Sequence, residues 1–217
     1  MITLALELSS PRCSLALFRD REPAARAEWV SSRRDPPRMF EELRRGLAEI
    51  GADASHIRAV AVGRGPGNYT GMRTALTLGE TLLLPGGGEL LAVSSGAAMA
   101  RRRLEAEPRG RVVVVGDARR GRLWRGVFVR EGARVRTLIP WGLMAPAELA
   151  RDDSGDGAWV SYEAEAVATR LREAGVAPLP IAQDYPRAED VAALAWERAD
   201  SGESPEPATP IYLHPPV

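Results

Sequence analysis

Residues 61–82 read AVGRGPGNYTGMRTALTLGETL and contain five glycines. The stretch runs from the end of an apolar strand pattern at 57–63 into a helical pattern at about 71–83. Thr70 is the expected N-cap of that helix. The order of strand, glycine loop and helix N-terminus is typical of an anion-binding site, because free backbone N–H groups and the helix dipole point toward the loop. Arg64 and Arg73 would add positive charge to such a site.

The glycine spacing nevertheless fits neither of two common phosphate-binding patterns. The pattern G-x-x-x-x-G-K-[ST] needs a lysine, whereas all 29 basic residues of this chain are arginines. The pattern G-x-G-x-x-G, started at Gly63, meets Asn68 in place of its third glycine. Two interpretations remain open, a phosphate site and a tight strand-to-helix turn packed against the neighbouring lobe, and the residue chemistry favours the turn.

The predicted elements occur in the same order twice. The first half contains strands at 2–8, 13–19 and 25–31, a helix at 37–50, a strand at 57–63, a helix at 71–83, a strand at 89–93 and a helix at 95–106. The second half contains strands at 111–117, 123–130 and 133–139, a short helix at 146–150, a strand at 157–161, a helix at 162–174, a strand at 179–182 and a helix at 187–200. This order predicts two α/β lobes with mixed sheets flanked by helices, at 1–106 and 107–203, followed by an extended Pro-rich tail at 204–217.

Composition excludes several kinds of site. The formal net charge is zero, so the whole-chain field does not favour nucleic acid. One cysteine, Cys13, and two histidines, His56 and His214, are too few for a His- or Cys-rich metal site, and we expect no metal and no cofactor. No signal peptide or transmembrane segment is expected, and a single cysteine suits a reducing compartment, so the predicted location is cytoplasmic.

Two carboxylates end equivalent strands of the two halves. Glu7 ends the first strand, and Asp117 ends the first strand of the second half. They would hold Mg²⁺ or activate water if they faced one cleft. The alternative, which the residues favour, is that each carboxylate caps a local turn.

The predicted helix at 37–50 carries an apolar stripe. Its members are spaced by three or four residues, with Met39 beside them and Arg38 among the flanking charges: Phe40, Leu43, Leu47 and Ile50. The stripe either covers the chain's own sheet or pairs with a helix of another subunit. The first interpretation is the more common use of such a stripe, but the narrow, charge-flanked seam is typical of helix pairing between subunits.

The glycine stretch gives the chain a specific resemblance. Residues 63–73, GRGPGNYTGMR, are similar to the motif G-R-G-P-G-S-F-T-G-x-R of the TsaB (YeaZ) family. Three further stretches resemble the same family in the same order, at 2–18 (ITLALELSSPRCSLALF), 112–124 (VVVVGDARRGRLW) and 210–216 (PIYLHPP). The resemblance therefore covers essentially the whole chain.

This resemblance implies an actin/Hsp70-like (ASKHA) fold with two RNase-H-like lobes. It also implies a non-catalytic paralogue of TsaD, the enzyme that transfers a threonylcarbamoyl group to adenosine 37 of tRNA. The implied partners are a TsaD-like catalytic subunit, bound through the first long helix, and a TsaE-like ATPase, with a homodimer when the protein is alone. The implied interface residues are the apolar stripe with its neighbours Arg38 and Met39: Arg38, Met39, Phe40, Leu43, Leu47 and Ile50.

The sequence departs from the family pattern at two places. TsaD has an H-x-x-x-H metal motif on its first long helix, whereas the corresponding residues 35–40 contain no histidine, and Asp35 stands where TsaB has one. The first phosphate turn, Asp-Thr in the family, reads Glu7-Leu8. We therefore expect the glycine loop to keep its shape as a vestigial phosphate site or a partner contact: Gly63, Arg64, Gly65, Pro66, Gly67, Asn68, Tyr69, Thr70, Gly71 and Arg73.

Two alternatives stay open at this stage. One is a free-standing enzyme, an ASKHA-type kinase or a glycoprotease-like hydrolase, which the missing histidine pair and Glu7-Leu8 disfavour. The other concerns tRNA, which two arginine groups would contact directly: Arg101, Arg102 and Arg103, and Arg119, Arg120, Arg122 and Arg125. Because the net charge is zero, solvated surface is the favoured interpretation of both groups, and tRNA contact is expected to be indirect.

Overall fold

In the computed structural model of the chain, the described residues are 1–31, 38–106, 110–149 and 157–214. They divide into two compact units. The first unit comprises Met1–Ala98 and Pro186–Ile211, and the second comprises Met99–Tyr185 and Tyr212–Val217. Within the described ranges, no helix is both long and apolar enough to cross a membrane.

The strands and helices follow the order predicted from the sequence. The strands are β1 (Ile2–Glu7), β2 (Arg12–Arg19), β3 (Glu22–Val30), β4 (Ile57–Gly63), β5 (Glu89–Val93), β6 (Arg111–Arg119), β7 (Arg122–Glu131), β8 (Arg134–Met144), β9 (Gly157–Ser161) and β10 (Ile181–Gln183). The helices are α1 (Arg38–Glu49), α2 (Tyr69–Leu83), α3 (Ser95–Ala106), α4 (Pro146–Leu149), α5 (Ala164–Glu173) and α6 (Ala188–Asp200).

Each unit contains one mixed sheet, and the two sheets have the same topology. The first has the order β3-β2-β1-β4-β5, with β1, β2 and β3 antiparallel and with β4 and β5 parallel to β1. The second has the order β8-β7-β6-β9-β10, with the corresponding pairings. The predicted duplication of three antiparallel strands followed by helix–strand crossovers is confirmed.

The central strands are apolar on both faces because helices cover the sheet. All six residues of β1 are buried, and β4 is buried at every position except Arg58. The strand β3 lies at the edge of the sheet, where exposed and buried residues occur together. Near-continuous burial of this kind is typical of strands inside a helix-covered sheet, and it explains why the first strand reads ITLALE without alternation.

The last helix, α6, does not belong to the lobe that the sequence order suggested. The predicted second lobe extended to residue 203, but α6 packs on the first sheet. The rings of Phe18 in β2 and Trp196 in α6 meet edge to face with centroids 4.9 Å apart, and Ser14 Oγ accepts a hydrogen bond from the Ala188 N–H at 2.9 Å. The chain therefore returns to its first unit before it ends.

The boundary between the two units also differs from the predicted one. The division between units falls inside α3, after Ala98, rather than at 106, and residues 107–109 lie outside the described part of the chain. The predicted start of α1 at residues 35–37 lies outside it as well. The tail from 204 to His214 contains neither helix nor strand, and residues 215–217 of the predicted tail lie outside the described part of the chain.

Candidate functional site

The glycine loop connects β4 to α2, and one side of it is bound to the junction of β5 and α3. The Arg64 N–H donates to the Val93 carbonyl at 2.9 Å. The Gly65 N–H donates to Ser95 Oγ at 3.0 Å, and the Ser95 N–H donates to the Gly65 carbonyl at 2.9 Å. These bonds place the loop at the carboxyl ends of two adjacent parallel strands.

The other side of the loop packs against the turn that follows β1. The Asn68 N–H donates to the Ser9 carbonyl at 2.7 Å. A Cβ atom at Gly67 would overlap the Ser9 carbonyl oxygen, and one at Gly71 would overlap the Leu8 carbonyl oxygen. These two glycines are therefore required by the close approach of two backbone segments of the same unit.

The N-terminus of α2 is capped by Asn68, and the predicted cap at Thr70 is wrong. Asn68 Oδ1 accepts a hydrogen bond from the Gly71 N–H at 2.9 Å, while Thr70 is an exposed residue of the first helical turn. Asparagine at this position satisfies a backbone donor that an anion would otherwise use. The chain itself thus occupies part of the potential anion site.

The two arginines of the motif have protein partners. Arg64 is half-buried, and its Nε donates to Glu206 Oε2 at 2.6 Å and its Nη1 to the Thr209 carbonyl at 2.6 Å. Arg73 Nη1 donates to the Tyr69 hydroxyl at 2.7 Å, and its guanidinium lies 5.4 Å from the centre of that ring. Arg64, which was predicted to add charge for a phosphate, binds the C-terminal segment instead.

The remaining motif residues pack inward. A Cβ atom at Gly63 would overlap the Glu7 carboxylate, and one at Gly65 would overlap the Met72 sulfur. Gly65 has φ +95°, in the region that favours glycine, and the following peptide bond to the buried Pro66 is cis. The outer surface of the motif is formed by the exposed residues Asn68, Tyr69, Thr70 and Arg73.

Glu7 is fully buried beneath the loop. Its Oε1 accepts a hydrogen bond from the Ser9 N–H at 2.6 Å, while its Oε2 is buried without a well-formed hydrogen bond. Burial raises the pKa of this carboxyl, and the Ser9 and Ser95 hydroxyls and the Ser9 N–H only partly oppose that rise. The loop therefore covers a carboxyl group that the protein environment favours in its protonated form.

Asp117 makes the equivalent contact in the second unit. Its Oδ1 accepts a hydrogen bond from the Arg119 N–H at 2.7 Å, and its Oδ2 lies 3.6 Å from Arg170 Nε. Arg119 also donates to Glu163, whose pKa burial raises. Glu7 and Asp117 thus each accept a hydrogen bond from the backbone N–H two residues later in the chain. This is the local turn cap that the sequence analysis favoured over a shared cleft. The described residues contain no group of three or more His, Cys, Asp or Glu that could hold a metal ion.

The stripe on α1 covers the chain's own sheet. Met39, Leu43 and Leu47 are 5–6% exposed and belong to the core of the first unit, and Ile50 packs against that core. This burial contradicts the prediction that the side chains of Met39, Leu43 and Leu47 pack against a partner subunit. A narrow apolar stripe suits both uses, and only the tertiary packing distinguishes them. Phe40 differs, because it is 50% exposed.

The first arginine group is ion-paired inside the second unit. Arg102 Nη2 and Arg103 Nε each lie 2.7 Å from a different oxygen of Asp184. Arg101 lies 2.9 Å from Glu105 on the same helix. Arg102 and Arg103 therefore connect α3 to the segment after β10, while Arg101 pairs within its own helix. Whether this group contacts tRNA stays a prediction.

Sequence reasoning missed the contribution of the tail. Glu206, Thr209 and Ile211 contact Arg64 across more than 140 positions of sequence, and the surrounding Pro-rich stretch gives no pattern that would indicate such contacts. The motif PIYLHPP marked this end of the chain as similar to a family, but it did not show what the segment binds.

Comparison with known proteins agrees with this geometry. The model of the family described as TsaD, tRNA N6-adenosine threonylcarbamoyltransferase, matches residues 31–195. The Escherichia coli K12 protein named tRNA threonylcarbamoyladenosine biosynthesis protein TsaB is 26% identical, over 98% of this chain and 94% of its own length. The Haemophilus influenzae protein of the same name is 30% identical over 60% of this chain and 55% of its own.

A solved structure supports the same relationship. The YeaZ structure from Pseudomonas aeruginosa superposes with a TM-score of 0.78 at 28% identity, over 98% of this chain and 99% of that one. The duplicated mixed sheets with flanking helices define the class, an α/β protein of the ASKHA (actin/Hsp70-like) fold with two RNase-H-like lobes. The chain belongs to the TsaD family and, within it, to the TsaB (YeaZ) proteins, as its glycine motif indicated.

The packing of the glycine loop predicts that an added methyl group lowers the free energy of unfolding at some glycines and not at others. Gly71→Ala should destabilise the protein by about 1–3 kcal/mol, because the new methyl group must displace the Leu8 carbonyl. Gly142→Ala is the matched control, since no atom lies within 4 Å of a Cβ there, and its effect should stay within about 0.5 kcal/mol. Urea unfolding of both variants measures the difference, and equal stabilities would contradict the packing described here.

The buried carboxyl of Glu7 predicts a pH dependence of stability. Because its folded-state pKa is raised above about 4.5, the stability that the protonated form contributes is complete below that pH and is lost as the pH rises through the folded-state pKa. Glu7→Gln, which keeps the shape and the acceptor for Ser9, should therefore become more stable relative to wild type as the pH increases from 4.5 to 8. Thermal melts across this range measure it, and a pH-independent difference would show that Glu7 does not titrate abnormally.

Proposed function

We propose that this chain is a non-catalytic subunit in the biosynthesis of threonylcarbamoyladenosine in tRNA, acting as the scaffold and activator of a TsaD-like catalytic subunit. The names of the relatives support the process, and the Escherichia coli TsaB protein matches over nearly the full length of both chains. A TsaE-like ATPase joins the pair in this proposal, and a homodimer forms when the chain is alone. Its place of action is the cytoplasm.

One observation carries the non-catalytic part of the proposal. The strand–loop–helix that resembles a phosphate site is occupied by the chain's own groups: Asn68 caps the helix, the Ser9 carbonyl accepts from the loop, and Arg64 holds Glu206. Each of these contacts uses a donor that a bound nucleotide would need. The motif therefore supports internal packing better than it supports nucleotide chemistry.

The outer face of α1 is the proposed docking surface. The buried Met39, Leu43 and Leu47 attach the helix to the sheet, so the opposite side remains for a partner. Phe40 is its exposed aromatic residue, and the exposed Arg38 lies near it in sequence, 3.2 Å from Glu42. An exposed aromatic side chain among charged residues is a common anchor in protein interfaces.

Reconstitution tests the function directly. The purified chain should give no threonylcarbamoylated tRNA by itself, and it should raise the yield when it is added to a TsaD-like subunit, a TsaE-like ATPase, ATP and the activated threonylcarbamoyl donor. Modified adenosine is measured by mass spectrometry of digested tRNA. Turnover of ATP or of the donor by this chain alone would contradict the proposal and favour the free-standing kinase or hydrolase.

The docking surface predicts the effect of a single substitution. Phe40→Asp should weaken binding to the TsaD-like subunit by about 2–4 kcal/mol, or at least about thirtyfold in Kd, because it places a charge where an apolar anchor would be desolvated. Surface plasmon resonance with the immobilised catalytic subunit measures this change. The folded state should persist, because Phe40 is 50% exposed.

Leu84→Asp is the matched control for this substitution. Leu84 is 79% exposed and caps the C-terminus of α2, so the change adds the same charge to a different exposed apolar position. Its affinity for the catalytic subunit should equal that of the wild type. Equal losses in both variants, or no loss in Phe40→Asp, would remove α1 as the docking surface.

A further inference from the structure

Two arginines from distant parts of the first unit meet at one carboxylate. Arg64 extends from the glycine loop and Arg198 from the last turns of α6, and both bind Glu206, which follows that helix. Arg64 Nε lies 2.6 Å from Glu206 Oε2, and Arg198 Nη1 contacts Oε1. Each carboxylate oxygen therefore has its own guanidinium, an arrangement that is typical of a bound oxyanion.

Glu206 is the carboxylate in closest contact with the two guanidinium groups. The side chains of Arg64, Arg198 and Glu206 are only 15–20% exposed. Burial lowers the pKa of both arginines, and for Arg198 the nearby carboxylates of Glu203 and Glu197 do not offset it. Arg198 Nε is buried without a hydrogen bond, and Glu203 reaches it only at 3.9 Å. The two arginines are thus partly desolvated, with Glu206 bound to both and Glu203 at a longer distance from Arg198.

Glu206 lies on a segment that makes several contacts with Arg64. Residues 203–211 contain neither helix nor strand. Besides its contact with Glu206, Arg64 donates to the carbonyls of Pro207 and Thr209, and its own carbonyl accepts from the Ile211 N–H at 2.9 Å. The glycine loop, by contrast, is held by β5, α3 and the turn after β1. The contacts of the loop with β5, α3 and the turn after β1 are therefore separate from its contacts with this segment.

We propose that Arg64 and Arg198 form an anion-binding site that Glu206 occupies in the free chain. Its external ligand is an oxyanion with two acceptor oxygens, either a phosphate or a carboxylate, because two planar guanidinium forks match that geometry. Because Glu206 belongs to the same chain as the two arginines, its effective concentration at the site is high. An external anion therefore binds well only when Glu206 is displaced. This inference concerns the isolated chain and does not depend on the proposed function.

Glu206→Gln tests the site with inorganic phosphate as the probe. The substitution removes the resident charge and keeps the size of the side chain, so about 10 mM phosphate should raise the melting temperature of this variant by about 3 °C relative to chloride at equal ionic strength. Wild type should shift by less than about 1 °C under the same conditions, because its site is filled.

Two further variants serve as controls for this test, and a second anion distinguishes a phosphate ligand from a carboxylate ligand. Glu203→Gln removes a neighbouring, 44% exposed carboxylate and should respond like the wild type, whereas Glu206→Gln combined with Arg198→Ala should lose the phosphate response. Acetate replaces phosphate in a parallel arm: a response to phosphate alone assigns a phosphate ligand, and a response to acetate assigns a carboxylate. No response of Glu206→Gln to either anion, or a response that survives loss of Arg198, would overturn the proposal.

A measurement on the unmodified chain covers the case in which Glu206→Gln does not fold. High concentrations of the anion should displace Glu206 and speed hydrogen exchange of the Ile211 amide, which is bonded to the Arg64 carbonyl. The Asn68 amide, bonded to Ser9, should keep its exchange rate because the loop does not depend on the segment. Unchanged exchange at Ile211 would contradict the displaceable site.

Discussion

The contact between two backbone segments, the turn after β1 and the start of α2, is the constraint on which the first unit depends. The Leu8 and Ser9 carbonyls lie where Cβ atoms would be if Gly71 and Gly67 were any other residue. This approach fixes the loop over the buried Glu7 and leaves Asn68 to cap the helix. Backbone groups satisfied in this way are not available to a ligand, and so the same contact bears on both stability and function.

Charge in this protein is largely satisfied within each unit. Arg64 binds the tail, Arg102 and Arg103 bind Asp184, and Arg119 binds the carboxylate of Asp117. An arginine-rich chain with zero net charge can therefore use its cations as internal connectors rather than as a field that attracts nucleic acid. In the function proposed above, contact of this chain with tRNA is indirect.

The elements were predictable because their signals are local. Apolar runs, glycine and proline positions and helical spacing placed nearly every strand and helix within a few residues, and the repeated order indicated the duplicated sheets. The site was less predictable. The spacing of the stripe on α1 is found both in interfaces and in cores, and Met39, Leu43 and Leu47 belong to the core. The N-cap of α2 was predicted at Thr70 and lies at Asn68. Threonine and asparagine are both good N-caps, so residue type alone does not distinguish the two positions.

The sequence by itself determined the fold class, the duplication and the family relationship, since these follow from residue order and from an eleven-residue motif. Only the tertiary structure decided which groups the motif binds. Arg64 meets Glu206 and Thr209 because α6 returns to the first sheet and delivers the tail to the glycine loop. Contacts between residues so far apart in the chain depend on how the elements pack, and no local pattern encodes them.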